Sequence, residues 1–183
     1  MNYSKTILIL SCFLCVSGCA IRPDARFFYE EPAESQSLQP GAAVTDSTAL
    51  TSAQMTMEIS SFEKFKQEIQ SFWRAPYQWG GNSPAGTDCS GMISTIYRNA
   101  VGIKLPRSTI GLFKTGKGIA AEELTFGDLV FFAQGRSLKP SHVGMYITGD
   151  IFLHASVSTG VALSKLTEHP WQDWYIGAKR ILD

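Results

Sequence analysis

Three side chains in this sequence have the types for nucleophilic chemistry and lie far enough along it to belong to a folded domain: Cys89, His142 and His154. Cys89 sits in "GTDCSGMIS" and the two histidines in "HVGMYITGDIFLHAS". Covalent catalysis by cysteine needs a thiol, a base that takes its proton and a third group that orients the base. One thiol and two imidazoles supply those parts. The third histidine, His169 in "EHPWQDW", stands before Pro170 without such context and reads as structural. Zinc is the other chemistry open to one Cys and two His. The separations, 53 residues from Cys89 to His142 and 12 from there to His154, match none of the short paired-ligand patterns, so no metal site is expected. The plain alternative for Cys89 is a buried, inert thiol.

These residues are useful only if the local structure positions them. After Cys89, apolar residues at Met92, Ile93, Ile96, Tyr97 and Ala100 keep helical spacing, and Gly102 marks a stop. Asp88 and Cys89 therefore fall at a helix start, where free backbone N–H groups and the positive end of the macrodipole favour negative charge. A thiolate is such a charge, so a depressed cysteine pKa is expected there, all the more beside an imidazole. Asp88 works the other way: its carboxylate can cap the helix and opposes a thiolate close by.

The histidines flank the turn "TGD" at Thr148–Asp150. A three-residue turn pairs Ile147 with Ile151, sets Gly144 opposite His154 and puts His142 on the same face, within reach. A two-residue turn pairs Thr148 with Ile151 and flips His154 to the other face. Both lengths are common. Gly144 favours the first, because a missing side chain leaves room for an imidazole.

The surrounding chain reads as helices first and strands afterwards. Ile59, Phe62, Phe65, Ile69, Phe72 and Trp73 line one face of a helix from Met57 to Trp73, and "APYQWGGNSPAG" is an irregular loop. Strands follow in "DLVFFA", "HVGMYI", "IFLHAS", "GVALSKL" and "WYIGAKRIL". This order predicts an α+β domain with N-terminal helices packed on an antiparallel sheet of about five strands, over residues 57–183. Ahead of it, Lys5 and the apolar run "TILILSCFLCV" have the length of a signal-peptide core, too short to span a membrane. Residues 19–56 are rich in Ala, Ser, Thr, Gln and Pro and read as a flexible tether, with "RFFYE" at 26–30 as its one apolar patch. The 183-residue chain has a formal net charge of +0, which carries no nucleic-acid signature.

Taken in order, "PYQWGG", "GTDCSG", "LPRST", "GDLVFF", "HVGMYI", "FLHAS" and "GAKRIL" resemble the NlpC family of papain-like, cell-wall cysteine endopeptidases, over about residues 60 to 182. The resemblance implies a papain-like NlpC-type fold and hydrolysis of peptidoglycan stem peptides, at the bond from D-glutamate to the diamino acid or at the crosslink from the diamino acid to D-alanine. It implies Cys89 as nucleophile, His142 as base and His154 as the group orienting that base. Tyr77 matches the tyrosine that polarises the scissile carbonyl, and Asp88 and Ser90 match positions that contact the stem. Arg107 matches a recurring arginine near the site, binding substrate or bracing the fold. Ile110 and Gly111 stand where many relatives have a glutamine. No cofactor or metal is implied.

"VSGC" also resembles the lipobox of bacterial lipoproteins, which implies cleavage after residue 18 and a lipid on Cys19. Ala20 then points to the outer membrane, facing the periplasm, for a monomeric protein whose partners are the membrane and the stem peptides. The rival readings are a non-catalytic wall-binding lipoprotein, and a thiol amidase or acyltransferase on the same scaffold.

Overall fold

The structure, a computed structural model, describes residues 52–135 and 138–182. The signal sequence, Cys19, the "RFFYE" patch and the tether up to residue 51 lie outside the described residues. Helix α1 spans Ser52–Phe72 and begins five residues before the start that its apolar periodicity predicts. A two-residue hairpin, β1 (Asn82–Ser83) with β2 (Gly86–Thr87), leads into α2 (Cys89–Val101) and a short α3 (Thr109–Phe113). Strands β3 (Lys117–Ile119), β4 (Leu129–Phe132), β5 (His142–Thr148), β6 (Ile151–Ser156) and β7 (Gly160–Lys165) follow, then a single-turn α4 (Trp171–Trp174) and β8 (Tyr175–Arg180).

The five predicted strands are present, and the sheet has a sixth. Its order is β3-β8-β4-β5-β6-β7, antiparallel throughout. The extra strand, "KGI", has too little apolar alternation to announce itself and exists because β8 offers it a pairing edge. Central β4 is buried along its whole length, which is why "LVFF" is a continuous apolar run and not an alternating one.

On one side, α2 packs against β5 and β6, and α1 packs against α2. The apolar face on α1 is buried toward its C-terminal end, at Phe65, Ile69 and Phe72, while Phe62, 44% exposed, packs one edge on Phe126 and Ile59 is 59% exposed. At 1.5 Å per residue the 21-residue α1 is ~31 Å long and the 13-residue α2 ~20 Å, so α1 outruns its partner. A second cluster on the sheet is aromatic. Phe132, Tyr146 and Phe152, with Val130 and Ala178, pack beneath Trp171, Trp174 and Tyr175.

Candidate active site

Helix α2 starts where its sequence says it does. Asp88 is the N-cap, with extended backbone, and its Oδ1 accepts from the Gly91 N–H at 2.6 Å. Gly102 closes the helix in the left-handed region at φ 74°, and its N–H donates to the Arg98 carbonyl at 3.0 Å. The preceding loop folds back on the helix start: Gln78 N–H donates to Thr87 O at 2.9 Å and Thr87 N–H to Pro76 O at 3.1 Å. That pairing brings Tyr77 to the thiol, and burial raises the Tyr77 pKa, with the Asp88 carboxylate and a Cys89 thiolate adding to it.

Asp88 is the bracket of this corner. Besides Gly91 it accepts from Ser90 Oγ at 3.0 Å and Gly80 N–H at 2.8 Å, and the Arg107 guanidinium stands 3.7 Å away. Arg107 in turn donates to the carbonyls of Gly80 and Gly81 at 2.9 and 3.1 Å. A side chain at position 91 would collide with the Arg107 guanidinium and the Gly81 carbonyl, so "DCSG" must end in glycine for the clamp to close. Asp88 and Ser90 line the cleft, yet their polar atoms are engaged within the protein, and Arg107 braces the loop.

The histidines meet through a register that neither simple turn supplies. The turn is the two-residue one, with Thr148 paired to Ile151, but a bulge at Ile147 adds the missing residue, so Tyr146 pairs with Phe152 and Met145 with Leu153. From there on the register is that of the three-residue turn. His142 Nε2 lies 3.2 Å from His154 Nδ1, and His154 Nε2 lies 2.9 Å from Ser164 Oγ on β7. The space over Gly144 is filled by the Phe152 ring and the Leu153 carbonyl, not by an imidazole. Ser164, the end of this chain of contacts, was not among the residues picked out from the sequence. It sits diagonally across from His154, and only the β6–β7 register reveals it.

With His142 Nε2 turned to His154, Nδ1 is the nitrogen the pair leaves unengaged. If Nδ1 is the basic nitrogen, neutral His142 donates from Nε2 to His154 Nδ1, and His154 donates from Nε2 to the serine. Trp171 stacks near both rings, with centroids 5.3 Å from His142 and 4.6 Å from His154, and Phe132 and Phe152 complete the apolar surround. Burial lowers the pKa of His142 to about 4 and that of His154 to about 3, the neighbouring His142 adding to the second.

Cys89 is the free cysteine of the described residues, and it is buried. The expected depression of its pKa is not what this environment produces. Burial, the largest influence, raises it and the Asp88 charge adds, while contacts from Thr109 and the backbone at Val143 and Ser90 oppose. Burial thus disfavours both charged forms, the Cys89 thiolate and the His142 imidazolium. Cys89, His142, Tyr77 and Thr109 open on one cleft of about 810 Å³, whose rim carries Trp79, 88% exposed. His154 lies beneath it, 2% exposed. His169 is at the surface, paired with Asp173 at 2.7 Å, apart from this group.

The structure is thus an α+β sheet domain in which a cysteine at a helix start shares a cleft with a histidine of the sheet. The NlpC/P60 family model matches residues 74–180, and the chain belongs to that family. It is 37% identical over 129 residues to the probable endopeptidase NlpC of Escherichia coli K12, covering 70% of this chain and 84% of that one. It is 41% identical over 106 residues to the murein DD-endopeptidase MepS/murein LD-carboxypeptidase of the same strain, covering 58% of this chain and 55% of the other. The chain thus spans about half the length of that relative. Among solved structures, an NlpC/P60 family protein from Bacillus cereus ATCC 10987 matches with a TM-score of 0.61 at 34% identity, over 66% of this chain and 40% of that one.

Proposed function

We propose that this protein is a peptidoglycan hydrolase, a cysteine endopeptidase that cleaves an amide bond in cell-wall stem peptides. The observation that carries the reading is the His142–His154–Ser164 relay, which leaves His142 Nδ1 free on the cleft that Cys89 shares. In this account His142 takes the Cys89 proton and the thiolate attacks the scissile carbonyl. The backbone N–H groups of Cys89 and Ser90 at the start of α2, which have no partner within the helix, receive the developing oxyanion, with Tyr77 polarising the carbonyl. His142 then returns the proton to the leaving amine, giving a thioester on Cys89, and activates the water that hydrolyses it. His154 orients the base. Asp88 and Ser90 shape the wall on which the stem rests.

The DD-endopeptidase named above supports the crosslink, from the diamino acid to D-alanine, as the first bond to try. The bond from D-glutamate to the diamino acid is the other. Mass spectrometry of purified muropeptides after incubation with the protein separates them. Conversion of a crosslinked dimer into two monomers names the crosslink, and monomers cut back to the D-glutamate name the D-glutamyl bond. Dimers and monomers that both survive incubation with folded protein contradict the proposal.

The same reading extends to the chain ahead of the domain. Residues 1–18 act as a lipoprotein signal, Cys19 carries the lipid, and the segment from there to the start of α1 at Ser52 links the anchor to a monomeric catalytic domain in the cell envelope, at the periplasmic side of the outer membrane. The "VSGC" sequence and the following Ala20 support it.

A further inference from the structure

The segment from Pro106 to Thr109 is stapled to α2 along successive turns. Ser94 Oγ lies 2.9 Å from the Pro106 carbonyl and shares its one proton between it and the Ser90 carbonyl at 2.7 Å, and Ser90 Oγ lies 3.0 Å from the Arg107 carbonyl and shares its proton between it and Asp88 Oδ1. Ser108 then caps α3, its Oγ accepting from the Gly111 N–H at 3.1 Å. With both flanks held, the Thr109 hydroxyl lies 3.8 Å from Cys89 Sγ. Among the described residues that sulfur is its sole hydrogen-bond partner.

We infer that Thr109 is a further catalytic residue of the proposed peptidase, its hydroxyl holding the Cys89 sulfur by accepting from the thiol and donating to the thiolate. The inference rests on the thiol chemistry proposed above. In the step concerned the S–H bond breaks, its electron pair stays on sulfur and the proton passes to His142 Nδ1. The Thr109 O–H bond stays intact and only turns, so that its hydrogen points at the new negative charge. Such a donor has a clear task here. Burial and Asp88 both oppose the thiolate, and the threonine hydroxyl is the side chain that works against them. The titratable groups facing the sulfur are Asp88 on its own turn, with Arg107 behind it, Tyr77 from the preceding loop and His142 from β5, with His154 behind it. None of these charges is carried by position 109, whose hydroxyl contacts the sulfur.

The test is iodoacetamide alkylation of Cys89 across a pH titration, on the full chain and on Thr109→Val and Thr109→Ser. The modified peptide is quantified by mass spectrometry, so that Cys12, Cys15 and Cys19 are scored separately. Thr109→Val keeps the shape and loses the hydroxyl. It should move the alkylation midpoint to higher pH and slow the neutral-pH rate about tenfold, the low end for a hydrogen bond to a charged group. Thr109→Ser should follow the parent. Superimposable profiles for parent and Thr109→Val overturn the inference, and so does an equal loss in Thr109→Ser, which would mark packing and not the hydroxyl. Alkylation needs no peptide substrate, so this outcome is independent of whether the wall is the target.

Discussion

His142 lies in surroundings that disfavour its charged form. Its apolar neighbours, Phe132 and Trp171, exclude the water that would solvate an imidazolium, and burial lowers its pKa to about 4. A base must be neutral to accept, so the acid limb of kcat/KM should lie well below the ordinary histidine value of ~6.5. A pH profile with its acid limb near 6.5 would show that the base is solvated in the working enzyme. The sign for stability follows from the same depression. An unfolded chain takes up protons near pH ~6.5 that the folded site refuses until about pH 4, so folding stability is full above that unfolded value. It declines as pH falls through this window, and thermal melts at successive pH values should show a falling Tm. The relay adds a milder test. Ser164→Ala removes the acceptor for His154 Nε2, a net loss of ~1 kcal/mol, so kcat should fall about fivefold with KM little changed. No change in kcat would remove Ser164 from the relay.

At the scale of elements, the chemistry depends on two local devices, of which the sequence discloses one. The start of α2 was legible, because Asp88, an apolar stripe at helical spacing and Gly102 are local signals. Replacing Asp88 by Ala leaves the Gly91 and Gly80 N–H groups without their acceptor and should cost ~1–3 kcal/mol. In a domain of this size that lowers Tm by ~3–10 °C, measurable by calorimetry. An unchanged Tm would mean that the corner is held without its cap. The β5–β6 register was not legible. Alternation and turn length offered two registers, and the bulge at Ile147 combines the turn of one with the strand pairing of the other. For the same reason Ser164 and Thr109 escaped notice: each acts through a neighbour fixed only by long-range pairing. The thiol's pKa shift was misjudged because a helix start is visible in sequence and the depth of burial is not.

For the whole molecule, the folded domain follows a segment that carries the proposed lipid anchor. The α+β class and all five expected strands were readable, since β-branched and aromatic runs between turns carry them, while β3 needed β8 to exist. If Cys19 holds the chain in the envelope, Cys19→Ala should leave the protein out of the membrane fraction while the activity of the released domain on soluble muropeptides is kept. Equal membrane retention of the parent and Cys19→Ala would place the anchor elsewhere.

The central claim is that Cys89 is the nucleophile of a wall peptidase, and one comparison tests it most directly: muropeptide cleavage by the parent and by Cys89→Ala, read by mass spectrometry. The account predicts new fragments from the parent and none from the variant, with both proteins folded. Fragments of equal yield from both, or intact substrate with both, would contradict it.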